Sequence, residues 1–247
     1  MTGADCNAVL RCRIPEFWLG QIMTQALTRV ALAAFPLLAG CSQDSQRGGG
    51  AAAPSYEWVD LFDGSSLAGW RRLDFGGRGG DVEVRGASIV FGRGDPFTGL
   101  VVADPAFAAP AEEYEILVRA RKTDGSDFFA AITFPVPEKD SHCTFVAGGW
   151  GGTVTGLSNI DHLDANRNRT HASVDYDTDR WYELRIEVRR GLIRCYIDGG
   201  IVVNAIIADS VVSMRPGEIE ACVPFGLASY DTAAEIGGVR IRALPPE

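Results

Sequence analysis

The sequence predicts an all-β domain, a jelly-roll sandwich of two antiparallel sheets, and three observations carry that expectation. Apolar residues alternate with polar ones at period two: Tyr114, Ile116, Val118 and Ala120 against Glu115, Leu117, Arg119 and Arg121, then Tyr182, Leu184, Ile186 and Val188 against Glu183, Arg185, Glu187 and Arg189. Strands with that pattern bury one face and wet the other. Turn signals break the pattern at short intervals, at Gly86, at Arg190-Gly191 and at Asp198-Gly199-Gly200, which reads as a meander of hairpins. No stretch after Cys41 sustains a helical period, and two packed sheets are the simplest way to cover so many half-apolar strands.

The chain opens on a segment that is processing sequence rather than fold. Arg29, the apolar run Val30 to Leu38, and Leu38-Ala39-Gly40-Cys41 resemble a bacterial lipoprotein signal, with cleavage before Cys41 and lipid on its thiol. The apolar run is too short to cross a bilayer, which takes about 20 residues, and Pro36 within it opposes a stable helix. The expected organisation is therefore a signal peptide over 1–40, a lipidated Cys41 with a Gly/Ala/Ser linker over 41–55, and one domain over 56–247. Met23 begins a complete signal by itself, so residues 1–22 read as a mis-assigned start. A lipid on Cys41 anchors the protein to a membrane without spanning it. Ser42, where a retained lipoprotein would carry Asp, points by the same resemblance to the outer membrane of the cell envelope.

The segment 1–40 holds three arginines and two acids, so the chain from Cys41 carries 20 basic and 30 acidic side chains, a net charge of −10. No basic cluster appears, which argues against nucleic acid and anionic lipid surfaces as partners. Beyond Cys41 only Cys143, Cys195 and Cys222 remain. An odd number cannot all pair within one chain, leaving either one disulfide with a free thiol or three buried thiols. No CxxC spacing supports zinc.

Within the domain, Asp81–Arg85 and Ala87–Phe91 form a predicted hairpin about Gly86. Leu192–Ile197 and Ile201–Ala205 follow the next two turns, and Val239, Ile241 and Ala243 close the fold against Arg240 and Arg242. Two stretches carry a family likeness. Trp58-Val-Asp-Leu-Phe-Asp-Gly-Ser-Ser-Leu-Ala-Gly-Trp70 opens the domain; Trp181 to Val188, Tyr196-Ile-Asp-Gly199, Phe225-Gly-Leu-Ala-Ser-Tyr230 and Val239 to Arg242 close it in order. Together they resemble the 3-keto-disaccharide hydrolase family over Trp58 to Leu244. The resemblance implies a concanavalin A-like jelly roll, secretion or lipid anchoring, and, for some members, cleavage of glycosides oxidised to a ketone at sugar C3. The middle of the chain, from Gly125 to Thr170, departs from the usual family pattern, as in a divergent branch, so its site is read from the residues themselves.

That middle concentrates His142, Trp150, Asn159, Asp161, His162, Asp164, Asn166 and Asn168, with Asp127 at its start. A 3-keto sugar has an acidified proton at C2. A base with a pKa near working pH removes it, the aglycone leaves C1, and water adds. His142 is the first expectation for that base, with Asp127 and Asp161 next; the plain alternative makes His142 a strand cap and His162 a solvated loop residue. Gly148-Gly-Trp-Gly-Gly152 reads either as a site in which Gly149 and Gly151 let backbone approach a sugar that stacks on Trp150, or as a bulged strand whose Trp fills the core. Asn159 and His162 complete the expected substrate contacts. Asp164, Asn166 and Asn168 offer hard oxygens for Ca²⁺, or else build a loop through their own backbone bonds. Glu218-Ile-Glu220 approaches the paired acids of jelly-roll glucanases but lacks the third acid. The leading expectation is an envelope lipoprotein that hydrolyses 3-keto-glycosides in a groove near Trp150, His142 and Asp127. Its rivals are a lectin-like carbohydrate-binding module and a structural envelope domain.

Overall fold

The alternations emerge as strands in a computed structural model that describes residues 56–246. The signal segment, Cys41 and the linker lie outside the described residues. The strands are β1 (Val59–Asp60), β2 (Trp70–Arg72), β3 (Val82–Arg85), β4 (Ser88–Phe91), β5 (Phe97–Val102), β6 (Tyr114–Gly125), β7 (Ala130–Val136), β8 (Ser141–Gly148), β9 (Val154–Ser158), β10 (Ala172–Ser173), β11 (Tyr182–Arg189), β12 (Leu192–Ile197), β13 (Gly200–Ile206), β14 (Gly226–Tyr230) and β15 (Thr232–Ala243). One antiparallel sheet runs β13-β12-β11-β6-β15-β4-β3, with β1 also on β15; the other runs β10-β9-β8-β7-β14-β5-β2. The two antiparallel sheets are those the sequence predicts.

Inward residues of both sheets form one core. Ile116, Val118, Leu184, Ile186 and Val239 come from the eight-stranded sheet, and Leu100, Ile132, Phe134, Phe145 and Leu157 from the seven-stranded one. Tyr114 is fully buried on β6, and its hydroxyl donates to the Pro135 carbonyl on β7, which ties one sheet to the other. Cys143, Cys195 and Cys222 are all buried free thiols, so the three-thiol alternative holds. Burial pushes Cys143 and Cys222 up to about 12, which leaves them unreactive.

The wet face of the eight-stranded sheet is laced by ion pairs. Glu115, only 2% exposed, accepts from Arg185 and Arg242, and Glu187 accepts from Arg189 and Tyr196. The opening motif is a loop device. Trp70 is buried and its indole N–H donates to the Leu61 carbonyl at 2.6 Å. The Asp63 carboxylate accepts from the Ser66 hydroxyl at 2.6 Å and from the amides of Ser65 and Ser66 at 2.7 Å. Those bonds, the Ser66 hydroxyl foremost, hold its carboxyl well below the usual range.

Candidate functional site

On the outer face of the seven-stranded sheet the alternation leaves small residues. Ala131 on β7 stands opposite Ala228 on β14, and Ala228 opposite Gly99 on β5. Part of this face is covered by a second apolar cluster, in which Leu73, Phe97, Val101, Ile219 and Cys222 are buried and Phe75, Phe128, Met214 and Tyr230 pack at its edge. The uncovered part is a cleft of about 330 Å³. Its lining includes Asp127, Phe128, Trp150, Ser158, Arg215, Glu218 and Tyr230. That size suits one or two sugar rings or a comparable small ligand.

The rim is built by the turn between β8 and β9. Gly148, Gly151 and Gly152 all have positive φ, and Trp150 between them is itself left-handed, at φ 49° and ψ 51°. A non-glycine residue pays roughly 1–2 kcal/mol for that conformation. What holds it is Asp127: one carboxylate oxygen accepts from the Gly151 amide at 2.9 Å, the other from the Phe128 amide at 2.8 Å. Asp127 is fixed in turn, because its own amide donates to the Thr232 hydroxyl, which donates back to the Asp127 carbonyl. The Trp150 ring is half-buried at the cleft, with the Arg215 guanidinium 5.3 Å from its centroid. The core-filling alternative for Trp150 therefore falls. Gly149 is buried, where a Cβ would meet Val146 at 3.0 Å, and Gly151 stands exposed; both shape the turn and neither lines the cleft.

The structure brings Asp127 and Trp150 together but does not join His142 to them. His142 pairs with Pro135 at the far end of β7, while Asp127 precedes Ala130 at the near end. At about 3.3 Å per residue the two are on the order of 15 Å or more apart. His142 shares the outer face with the cleft residues Thr144 and Val146 without lining the cleft. Burial pulls its imidazole below the ordinary value, and Asp140 offsets only part of that. The fold thus favours the neutral ring, and the unfolded chain takes up the proton first. The contribution is whole above pH ~6.5 and declines as pH falls below it. His142→Gln is expected to flatten the fall of the urea midpoint between about pH 6.5 and 5; identical slopes in wild type and variant would refute this.

The expectation for Asp161 is corrected. It is an exposed surface anchor whose carboxylate accepts from the Val211 amide at 2.9 Å and from Arg169 at 2.8 Å. Those partners, the Val211 amide first, hold it below the usual range, so it stays ionised and paired away from the cleft. His162 is an exposed turn residue, the solvated alternative. Asn159 is buried, its side-chain carbonyl accepting from the Ser158 hydroxyl, and only its neighbour Ser158 reaches the cleft.

The three residues expected to hold Ca²⁺ do not share a vacant oxygen cage. Asn168 donates to the carbonyls of Leu157 and Leu163, and its own oxygen accepts from Thr170. Asp164 accepts from Arg167, and Asn166 is exposed. Among the described residues no group of three or more His, Cys, Asp or Glu side chains is arranged to hold a metal ion.

Sequence reasoning misses Arg215, Phe128 and Tyr230, and sets Glu218 aside for want of a third acid. Pro216-Gly217 marks a turn, and the Glu218–Cys222 segment that follows is a 3-10 helix over the sheet. Glu218 faces the cleft and pairs with Arg78 at 2.8 Å. Phe128 and Tyr230 follow from alternation, since Phe129, Leu227 and Ser229 are buried. Two wider depressions, one beside Glu113 and Arg189 and one beside Asp60 and Arg240, have those charges paired across them at 2.9 and 2.7 Å.

Solved structures are similar to this chain at low identity. The Crh5 transglycosylase in complex with NAG is 15% identical, with a TM-score of 0.50 over 76% of this chain and 85% of its own. The carbohydrate binding module CBM66 from Bacillus subtilis is 15% identical, with a TM-score of 0.46 over 71% of this chain and 96% of its own. No curated protein matches the chain. The family model of the 3-keto-alpha-glucoside-1,2-lyase-like domain matches residues 57–235, from the opening motif into the last long strand. The chain therefore belongs to the 3-keto-alpha-glucoside-1,2-lyase-like domain family, the 3-keto-sugar family that its opening motif resembles.

Proposed function

We propose that the cleft binds a sugar and that Asp127 acts as the base on a glycoside oxidised to a ketone at C3. The observation that carries this is the strained Trp150, whose ring is held at the cleft by the same carboxylate that would do the chemistry. An aromatic face stacks on the apolar face of a pyranose, and such a residue kept in a costly conformation is a mark of a functional site. Asp127 accepts one bond on each oxygen, which leaves a lone pair on each.

The steps balance without an oxidant. The carboxylate takes the C2 proton, and the electron pair is delocalised onto the C3 carbonyl as an enolate. That pair then forms the C1–C2 double bond as the C1–O bond breaks, and the aglycone leaves with a proton as an alcohol. Water adds its oxygen to C1 and a proton to C2, giving the free 3-keto sugar.

A second reading, a carbohydrate-binding module without chemistry, is favoured by one fact: Asp127 already has a structural role, one oxygen bracing the Trp150 turn through the Gly151 amide and the other accepting from the Phe128 amide. The deciding experiment is aglycone release from a panel of 3-keto-glucosides by the full chain, beside binding of the parent glucosides. Release supports the enzyme; binding without release supports the module; neither outcome on any sugar would overturn both.

The same proposal places the domain at the cell envelope, tethered through lipid on Cys41. Wild type is expected in the membrane fraction and Cys41→Ala in the soluble one. An unchanged membrane fraction in the variant would remove the anchor from the proposal.

A further inference from the structure

We infer that the cleft selects a glycan bearing a negatively charged substituent, a sugar-acid carboxylate or a sulfate ester, and that Arg215 reads that charge. The inference rests on the reading of the cleft as a sugar site and adds the class of sugar.

Most arginines elsewhere on the domain pair with carboxylates; among the described residues Arg71, Arg72 and Arg119 do not, but none of these three lines the cleft. Arg78 pairs with Glu218, Arg93 with Asp231, Arg169 with Asp161, Arg180 with Asp198 and Arg240 with Asp60. Arg215 lines the cleft, and among the described residues no carboxylate lies within 4.0 Å of it; its neighbour is the Trp150 ring, 5.3 Å away. Of the two carboxylates that line the cleft, neither lies within 4.0 Å of Arg215. Asp127 accepts from the Phe128 and Gly151 amides, and Glu218 is neutralised by Arg78 at 2.8 Å. A ligand in the cleft therefore meets one cation whose charge no described carboxylate answers.

The guanidinium is a planar fork of five N–H donors that fits the two oxygens of a carboxylate or sulfate side by side. Contact with the indole face orients that fork beside the ring on which a pyranose would stack. The whole chain carries a net charge of −9 and repels anions at long range. A local cation like this one offsets that repulsion for an anionic glycan, and the contact is open enough for salt to weaken it.

The test is titration calorimetry of the full chain with methyl glucoside, methyl glucuronoside and methyl glucoside 6-sulfate, at low and high salt, on wild type, R215Q and R215K. One or both anionic ligands are expected to bind wild type about 10- to 100-fold tighter than the neutral one, with the ratio shrinking as salt rises. R215Q, its fold checked by thermal melt, is expected to bring that ratio to about one. R215K keeps part of it, since lysine retains charge without the fork. Carboxylate-only or sulfate-only preference names the substituent. Equal binding of all three by wild type, or a preference that survives R215Q, overturns the inference and leaves the sugar site standing. Binding of none of the three overturns the inference, and the 3-keto-glucoside panel then decides the sugar reading by itself.

Discussion

Asp127→Asn is expected to lower aglycone release from a 3-keto-glucoside by about 10²- to 10⁴-fold, the usual worth of a positioned base. The amide keeps one oxygen that can accept from Gly151 or Phe128, so the Trp150 turn survives in part and sugar binding falls much less than turnover. Asp127→Ala is the contrasting variant. It frees both amides, at 2.9 and 2.8 Å in the native turn, and should lose binding together with turnover, because nothing then holds Trp150 left-handed. His142→Ala should leave release unchanged, since the ring does not line the cleft. Steady-state kinetics on one substrate, with binding measured separately, distinguishes these. An Asp127→Asn enzyme at wild-type rate would mean that Asp127 is only a brace. A His142→Ala enzyme without activity would move the base to the other end of β8.

Trp70→Ala is expected to cost about 3–5 kcal/mol of stability, and Trp70→Phe about 1–3 kcal/mol. The larger change empties a buried site next to Phe225, whose ring centroid is 6.1 Å away. The smaller one leaves the Leu61 carbonyl, now bonded at 2.6 Å, without its donor. In a domain of this size the alanine variant should melt on the order of 10 °C lower. Neither change should alter ligand preference, because Trp70 lies in the core between the sheets and not in the cleft. A melting temperature within a degree of wild type for Trp70→Ala would refute the structural role of the opening motif. That motif is the most recognisable sequence of the domain, and the bonds of Asp63 and Trp70 fold it into a loop.

The strands were legible in the sequence, because a half-buried strand writes its geometry locally, one residue in and the next out. Tyr114 to Ala120 and Tyr182 to Val188 lie as their alternation requires. Legible too were the hairpins at Gly86, Gly191 and Gly199, where the chain reverses with positive φ, and the family, through the opening loop and closing strands. Trp150 and Asp127 stood out as candidates because glycines flanking a tryptophan, and an acid before a strand, are locally unusual. That these two meet while His142 stays apart is a matter of long-range packing. Their separation depends on the antiparallel register of β7 against β8, which sets Pro135 opposite His142 and Ala130 opposite Ala147. Packing also placed Arg215 and Glu218 in the cleft, because a segment more than 60 residues further along the chain than Trp150 folds back across the sheet. The Asp/Asn run from Asp161 to Asn168 shows the limit in reverse. Its composition admits a cation or a loop, and only the tertiary structure gives its oxygens protein partners, in Arg167, Arg169, Thr170 and the Val211 amide. Residue types announce what chemistry a segment can do; the partners that long-range packing brings to it decide what remains free to do it.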